Sequence, residues 1–144
     1  RSAAEVSMAL SDGTALSKFR QWIAAQGGAA EVADDPSLLA EARVRHKHKS
    51  QSDGYVYHMD AERIGKAAAE LGAGRAKKGD AIDPAAGIVF LKKTGDAVAA
   101  GETLAVLHTS DKRRLTDAEA YLDDAVTVSG ARPEQAQLIY DVIE

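Results

Sequence analysis

Cysteine is absent from this 144-residue chain, which excludes disulfides, thiolate catalysis and Cys-ligated zinc. No apolar run approaches the roughly 20 residues a membrane-spanning helix needs. The first residues, Arg-Ser-Ala-Ala-Glu-Val, lack the apolar centre of a secretory leader. They also lack Met, which fits either Met removal or trimming, or a piece of a longer protein. Charge of one sign is not in large excess either: 18 basic against 22 acidic residues leave −4. That balance suits a soluble cytoplasmic protein and exerts no global pull towards nucleic acid or an anionic membrane. No low-complexity tract interrupts the chain.

What is present centres on residues 87–108, Gly-Ile-Val-Phe-Leu-Lys-Lys-Thr-Gly-Asp-Ala-Val-Ala-Ala-Gly-Glu-Thr-Leu-Ala-Val-Leu-His. Two apolar strands, 87–92 and 103–108, flank two turns at Gly95-Asp96 and Gly101-Glu102, with Val98 as an anchor between them. Ile88 and Phe90 alternate with Val89 and Leu91. Both faces of the first strand are apolar, so it is expected to be buried on both sides.

Upstream, residues 2–10 read as a helix. Ser11 or Asp12 caps a second one whose apolar residues Leu16, Phe19 and Ile23 share a face beside Trp22, and Gly27-Gly28 ends it. Helices this short cannot cover that face between themselves. Residues 29–42 read as a connection with a turn at Asp34-Asp35-Pro36-Ser37. Residues 43–50 alternate Arg43, Arg45, Lys47 and Lys49 against Val44, His46, His48 and Ser50, a strand with one wet face. After the Ser52-Asp53-Gly54 turn, residues 55–59 form a strand expected to pair with it as a hairpin. Asp60 caps a helix with apolar positions Ala61, Ile64, Ala67, Ala68 and Leu71. Gly65 inside it, which costs up to about 1 kcal/mol relative to Ala, is read as part of a close-packing face. Ser110 or Asp111 caps a further helix to Ala125, buried through Leu115, Ala118 and Leu122. A strand at 126–129 follows, and 138–143 alternates as a terminal strand, although residues 134–137 could begin a helix. The element order predicts an α+β fold, two short helices as an appendage to an α+β domain.

Candidate chemistry is sparse. His46 and His48 have the His-x-His spacing of many metal sites, and His58 could add a third ligand, but four cationic neighbours disfavour a divalent ion. The Gly72-x-Gly74-Arg75…Lys77-Lys78 loop resembles a phosphate cradle. It follows a helix C-terminus, however, where the dipole is negative, whereas phosphate loops precede an N-terminus. The basic run at 43–49 lacks the aromatic interleaving of a nucleic-acid surface, and no nucleic-acid or membrane partner is expected. Asp34-Asp35 and Asp123-Asp124 read as solvated. No catalytic, substrate-binding or metal-binding residue is assigned.

Several stretches together resemble one family, the pyrimidine-nucleoside and thymidine phosphorylases. They are Ser11-Asp12-Gly13-Thr14-Ala15-Leu16-Ser17-Lys18-Phe19 with Gln26-Gly27-Gly28, then Asp34-Asp35-Pro36 and Asp53-Gly54-Tyr55-Val56. Ile64-Gly65-Lys66-Ala67-Ala68 follows, with Leu71-Gly72-Ala73-Gly74-Arg75 and Ile82-Asp83-Pro84-Ala85-Ala86-Gly87-Ile88. The last are Gly95-Asp96-x-Val98-x-x-Gly101-Glu102-x-Leu104 and Leu138-Ile139-Tyr140-Asp141-Val142-Ile143. Each is weak alone; their order and spacing over nearly the whole chain make the likeness specific. It implies a C-terminal portion of such an enzyme, with residues 1–39 as a helical segment and linker from a preceding domain and residues 40–144 as a C-terminal α+β domain holding a barrel-sandwich-like β module. The implied reaction of the parent is reversible phosphorolysis of pyrimidine nucleosides to free base and pentose 1-phosphate. It needs no cofactor, inorganic phosphate being a co-substrate. The resemblance also implies a pentosyltransferase that is a homodimer when full length. The family's phosphate- and base-binding residues belong to an upstream region that nothing here matches. The chain alone is therefore expected to be inactive, a scaffold or cleft wall whose partner is the remainder of the parent enzyme.

The Gly-Asp-x-Val-x-x-Gly-Glu-x-Leu run also resembles the hairpin region of lipoyl and biotinyl carrier domains, with Lys112 at the place of a modified lysine. Against that reading, Lys112 opens a helix and a carrier domain would have no helix at 60–71. A non-catalytic interaction domain, recruiting a partner through the face at 16–23, is the third alternative.

Overall fold

The computed structural model describes residues 3–75, 77–134, 137, 139, 141 and 143. It divides into two compact units, residues 1–41 and 42–144.

In the first unit, α1 (Ala3–Ser11) and α2 (Thr14–Ala25) are joined at Asp12-Gly13. Gly13 takes φ +83°, and Asp12 Oδ1 accepts from the Thr14 N–H (2.9 Å) and hydroxyl (2.7 Å). Two crossed bonds close α2: the Gly27 N–H donates to the Ala24 carbonyl and the Gly28 N–H to that of Ile23, each at 3.0 Å. This is the expected glycine termination. Short 3-10 turns at Ala30–Ala33 and Pro36–Leu38 follow. Arg20 on α2 pairs with Asp34 between them. Neither helix buries a residue. Phe19 (44% exposed) and Trp22 (61%) lie with ring centroids 6.1 Å apart on a face that extends to Leu16.

Among its described residues the second unit holds two antiparallel three-stranded sheets and two helices, an α+β arrangement. Its strands are β1 (Val44–Lys49), β2 (Gly54–Met59), β3 (Gly87–Phe90), β4 (Ala97–Val98), β5 (Thr103–Thr109) and β6 (Val126–Ser129). The orders are β1-β5-β3 and β4-β2-β6. Helix α3 (Ala61–Ala68) runs on into a π-helical turn, Ala69–Ala73, and α4 (Leu115–Ala125) follows a 3-10 turn at Lys112–Arg114. Asp60 caps α3 by accepting from the Glu62 and Arg63 N–H groups at 2.9 and 3.1 Å, and Asp111 accepts from the Arg113 N–H at 3.0 Å.

β5 joins the two apolar clusters. Leu107, fully buried, packs with Leu71, Leu115 and Leu122 in the cluster of the first sheet and the helices. Leu104, three residues earlier and so on the opposite face, packs with Val56 and Val98 in the cluster of the second sheet.

Three expectations are corrected. Residues 43–50 and 55–59 do not form a hairpin. β1 pairs β5, with His46 opposite Leu107, and β2 pairs β4 and β6. The intervening turn carries the chain from one sheet to the other. Ser50 exchanges backbone bonds with Glu102 (2.9 Å) and Gly101 (2.8 Å), and Asp53 Oδ1 accepts from the Ala100 N–H at 2.9 Å. Second, β3 is buried on one face only: Ile88 and Phe90 pack on the core, whereas Val89 (52%) and Leu91 (55%) are exposed. It lies at a sheet edge, and the strand apolar to both sides is β5. Third, Gly65 marks no close approach, because a Cβ there would meet nothing within 4 Å. The expected terminal strand at 138–143 falls outside the described residues, since 138, 140 and 142 are not among them. No helix among the described residues is long and apolar enough to cross a membrane.

Candidate functional site

The seam between β1 and α4 gathers polar chemistry in the second unit. Residues i and i+2 on a strand and i and i+4 on a helix are separated by similar rises, about 6–7 Å. The strand pair His46 and His48 therefore meets the helix pair Glu119 and Asp123. His46 Nε2 lies 2.7 Å from Glu119 Oε1, both half-exposed. His48 Nε2 lies 3.9 Å from Asp123 Oδ1, too far for a hydrogen bond. His48 is only 5% exposed. Burial holds its pKa below the usual 6.5, against a smaller opposing pull from Asp123 and Glu119. A polar cleft of about 180 Å³ adjoins it, lined by His48, Gln51, Ser52 and Asp123 among others. Gln51 Nε2 donates to Asp123 Oδ1 at 3.5 Å, and the buried Ser50 hydroxyl donates to the Ser52 carbonyl at 2.7 Å.

The histidines are not brought together as three. His58 is exposed on β2, in the other sheet. Among the described residues no group of three or more His, Cys, Asp or Glu is arranged to hold a metal ion. Glu119 escaped the sequence reading. The available signal was the match between an i, i+2 histidine pair and an i, i+4 acidic pair.

The glycine-rich loop follows the π-helical turn and acts there as a cap and connector. Gly72 takes φ +115°, and its carbonyl accepts from the Asp83 N–H at 2.9 Å. Arg114 Nη1 donates to the Glu70 carbonyl at 3.0 Å, placing a cation on the negative end of the helix. A mixed-charge cleft of about 440 Å³ beside it is lined by Lys66, Glu70, Asp80, Arg114 and Tyr121 among others. Lys66 is committed to Glu62 at 2.6 Å. This is not the donor set of a phosphate cradle.

The remaining candidates are dispersed. Arg45, Lys47 and Lys49 are exposed along β1, with the histidines on its other face, and Arg43 is exposed just before it. Lys112 is exposed in the helical turn before α4. Asp34 pairs with Arg20, Asp35 accepts from the Ser37 N–H and hydroxyl, and Asp124 accepts from Arg63 Nη1 at 2.7 Å.

The family described as "Pyrimidine nucleoside phosphorylase C-terminal domain" matches residues 55–129, just over half of the chain. That interval runs from β2 through β6. A pyrimidine-nucleoside phosphorylase of Geobacillus stearothermophilus is 42% identical over 135 residues, 94% of this chain and 31% of that protein. One from Staphylococcus haemolyticus is 39% identical over the same shares. One from Staphylococcus aureus is 40% identical over 121 residues, 84% of this chain and 28% of that protein. The chain thus spans about a third of the length of the curated relatives it matches.

Proposed function

The chain belongs to the pyrimidine nucleoside phosphorylase C-terminal domain family, and on that premise we propose that it is the C-terminal portion of a pyrimidine-nucleoside phosphorylase. The observation that carries this is coverage: relatives of that name match 94% of this chain with 31% of their own length. The parent reaction is phosphorolysis. A phosphate oxygen attacks C1′ of the nucleoside, the glycosidic C–N bond breaks, and the pyrimidine base leaves to give base and pentose 1-phosphate.

In this reading the chain supplies no catalytic group. Residues 42–144 are scaffold, forming a wall of the substrate cleft, and the catalytic residues lie in the portion of the parent that this chain lacks. The apolar face of Leu16, Phe19 and Trp22, exposed in a unit whose helices bury nothing, packs against that remainder. Dimeric assembly of the parent and a cytoplasmic location complete the proposal. An assay of free uracil or thymine release from uridine or thymidine, with and without phosphate, tests it. The isolated chain is expected to release no base, while a full-length parent carrying this region does. Phosphate-dependent release by the isolated chain would overturn the assignment.

A further inference from the structure

His48 is the one histidine buried in the described structure, and the reading above gives it no task. It sits on β1, an edge strand of the first sheet, with α4 across from it. The charged and titratable groups around it are Asp123 and Glu119 on α4 and His46 and Lys49 on β1 itself. The following turn brings the neutral Gln51, and β5 and β6 bring aliphatic side chains such as Leu104 and Val126. The two rungs of the seam therefore differ. His46 already touches its carboxylate at 2.7 Å, whereas His48 stands 3.9 Å from Asp123, and that carboxylate is half-exposed and shared with Gln51.

We propose that His48 is an acid-operated release for β1. As a neutral ring it seals the strand against α4; as a cation it is buried without a carboxylate in contact, and the strand opens.

The geometry sets the direction. A buried cation is tolerated only when paired and hydrogen-bonded. Removing the proton, rotating Asp123 inward or parting β1 from α4 each relieves the charge. The last is open to β1 because it is an edge strand with one neighbour in its sheet. Burial holds the folded-state pKa of His48 below 6.5. The closed strand therefore binds fewer protons than the open one. The stabilisation is complete above about pH 6.5 and diminishes as pH falls below it, towards the folded-state pKa. Opening also exposes the cleft at Ser52 and loosens the turn that leads to the second sheet.

Amide hydrogen exchange of the isolated chain between pH 7.5 and 5.5, corrected for intrinsic rates, tests this. The opening constant of the Val44–Lys49 amides is expected to rise by up to about tenfold per pH unit over the range in which only the open strand is protonated, with β2 and β6 little changed. His48→Gln abolishes the rise and His46→Gln leaves it. Asp123→Asn, which removes a carboxylate favouring the cation in the closed strand, leaves the onset in place and extends the rise to lower pH. The His48 ring resonances of the unsubstituted chain supply a check that needs no variant, and they should titrate below 6.5. A flat profile in the unsubstituted chain, an unchanged rise in His48→Gln, or titration of His48 at or above 6.5 would overturn the proposal.

Discussion

Thr109 ties β5 to the end of the α3 helical segment: its Oγ1 donates to the Leu71 carbonyl at 2.8 Å, and neither residue is exposed. The bond gives the Leu71 carbonyl a side-chain donor at a point water does not reach. Thr109→Val keeps the shape and removes the donor. It is expected to destabilise the domain by about 1–3 kcal/mol, measured as a lower urea midpoint at unchanged slope.

Leu107 and Leu122 meet in the larger apolar cluster, both at 0% exposure. Leu107→Ala and Leu122→Ala should each cost about 2–5 kcal/mol. Because both line one cluster, the double variant should deviate from additivity. Chemical denaturation of the four members of the cycle gives the coupling directly.

Two glycines should respond in opposite ways to alanine. Gly54 takes φ +149°, and a Cβ there would lie 2.4 Å from the Ser129 carbonyl oxygen on the paired strand. Gly54→Ala must shift β2 from β6 and should destabilise by more than about 1 kcal/mol. Gly65 lies inside α3 with open space at the Cβ position, so Gly65→Ala should stabilise by about 0.5–1 kcal/mol. Thermal midpoints of the two variants are expected to move apart.

Acid should act on this domain in two separate ranges. The upper one belongs to His48. The lower one belongs to carboxylates such as Asp111, which Arg113 holds down to about 2, and Asp60, lowered by the backbone N–H groups of Arg63 and Glu62. A depressed carboxylate contributes stability that is present above its unfolded value, near 3.8, and lost as pH falls through its folded value. Urea midpoints taken from pH 4 to pH 2 should therefore decline, with a shallower slope in Asp111→Asn. An identical slope in that variant would remove Asp111 from the account.

Much of this chain is legible residue by residue. Asp60 announces the start of α3 and Gly27-Gly28 the end of α2, because a cap and a left-handed glycine act within a few residues of themselves. Leu115, Ala118 and Leu122 announce the buried stripe of α4 through helical spacing. The relation of His48 to Asp123 was not legible in the same way: they are 75 positions apart, and each taken singly reads as a polar residue on a wet surface.

Sequence by itself determined the α+β class, most helix and strand positions, and the family to which the chain belongs, since periodicity, capping and ordered motifs are local or collinear properties. Tertiary structure alone decided which strands pair. The Ser52-Asp53-Gly54 turn serves a hairpin or a change of sheet equally well, and long-range packing settled the matter by placing His46 opposite Leu107 and Val56 opposite Val128. It also decided which strand of residues 87–108 is covered on both faces. Ile88, Val89, Phe90 and Leu91 are as apolar as the residues of β5, yet burial follows position in a sheet. β5 stands at the centre with an apolar cluster on either side, and β3 stands at the edge.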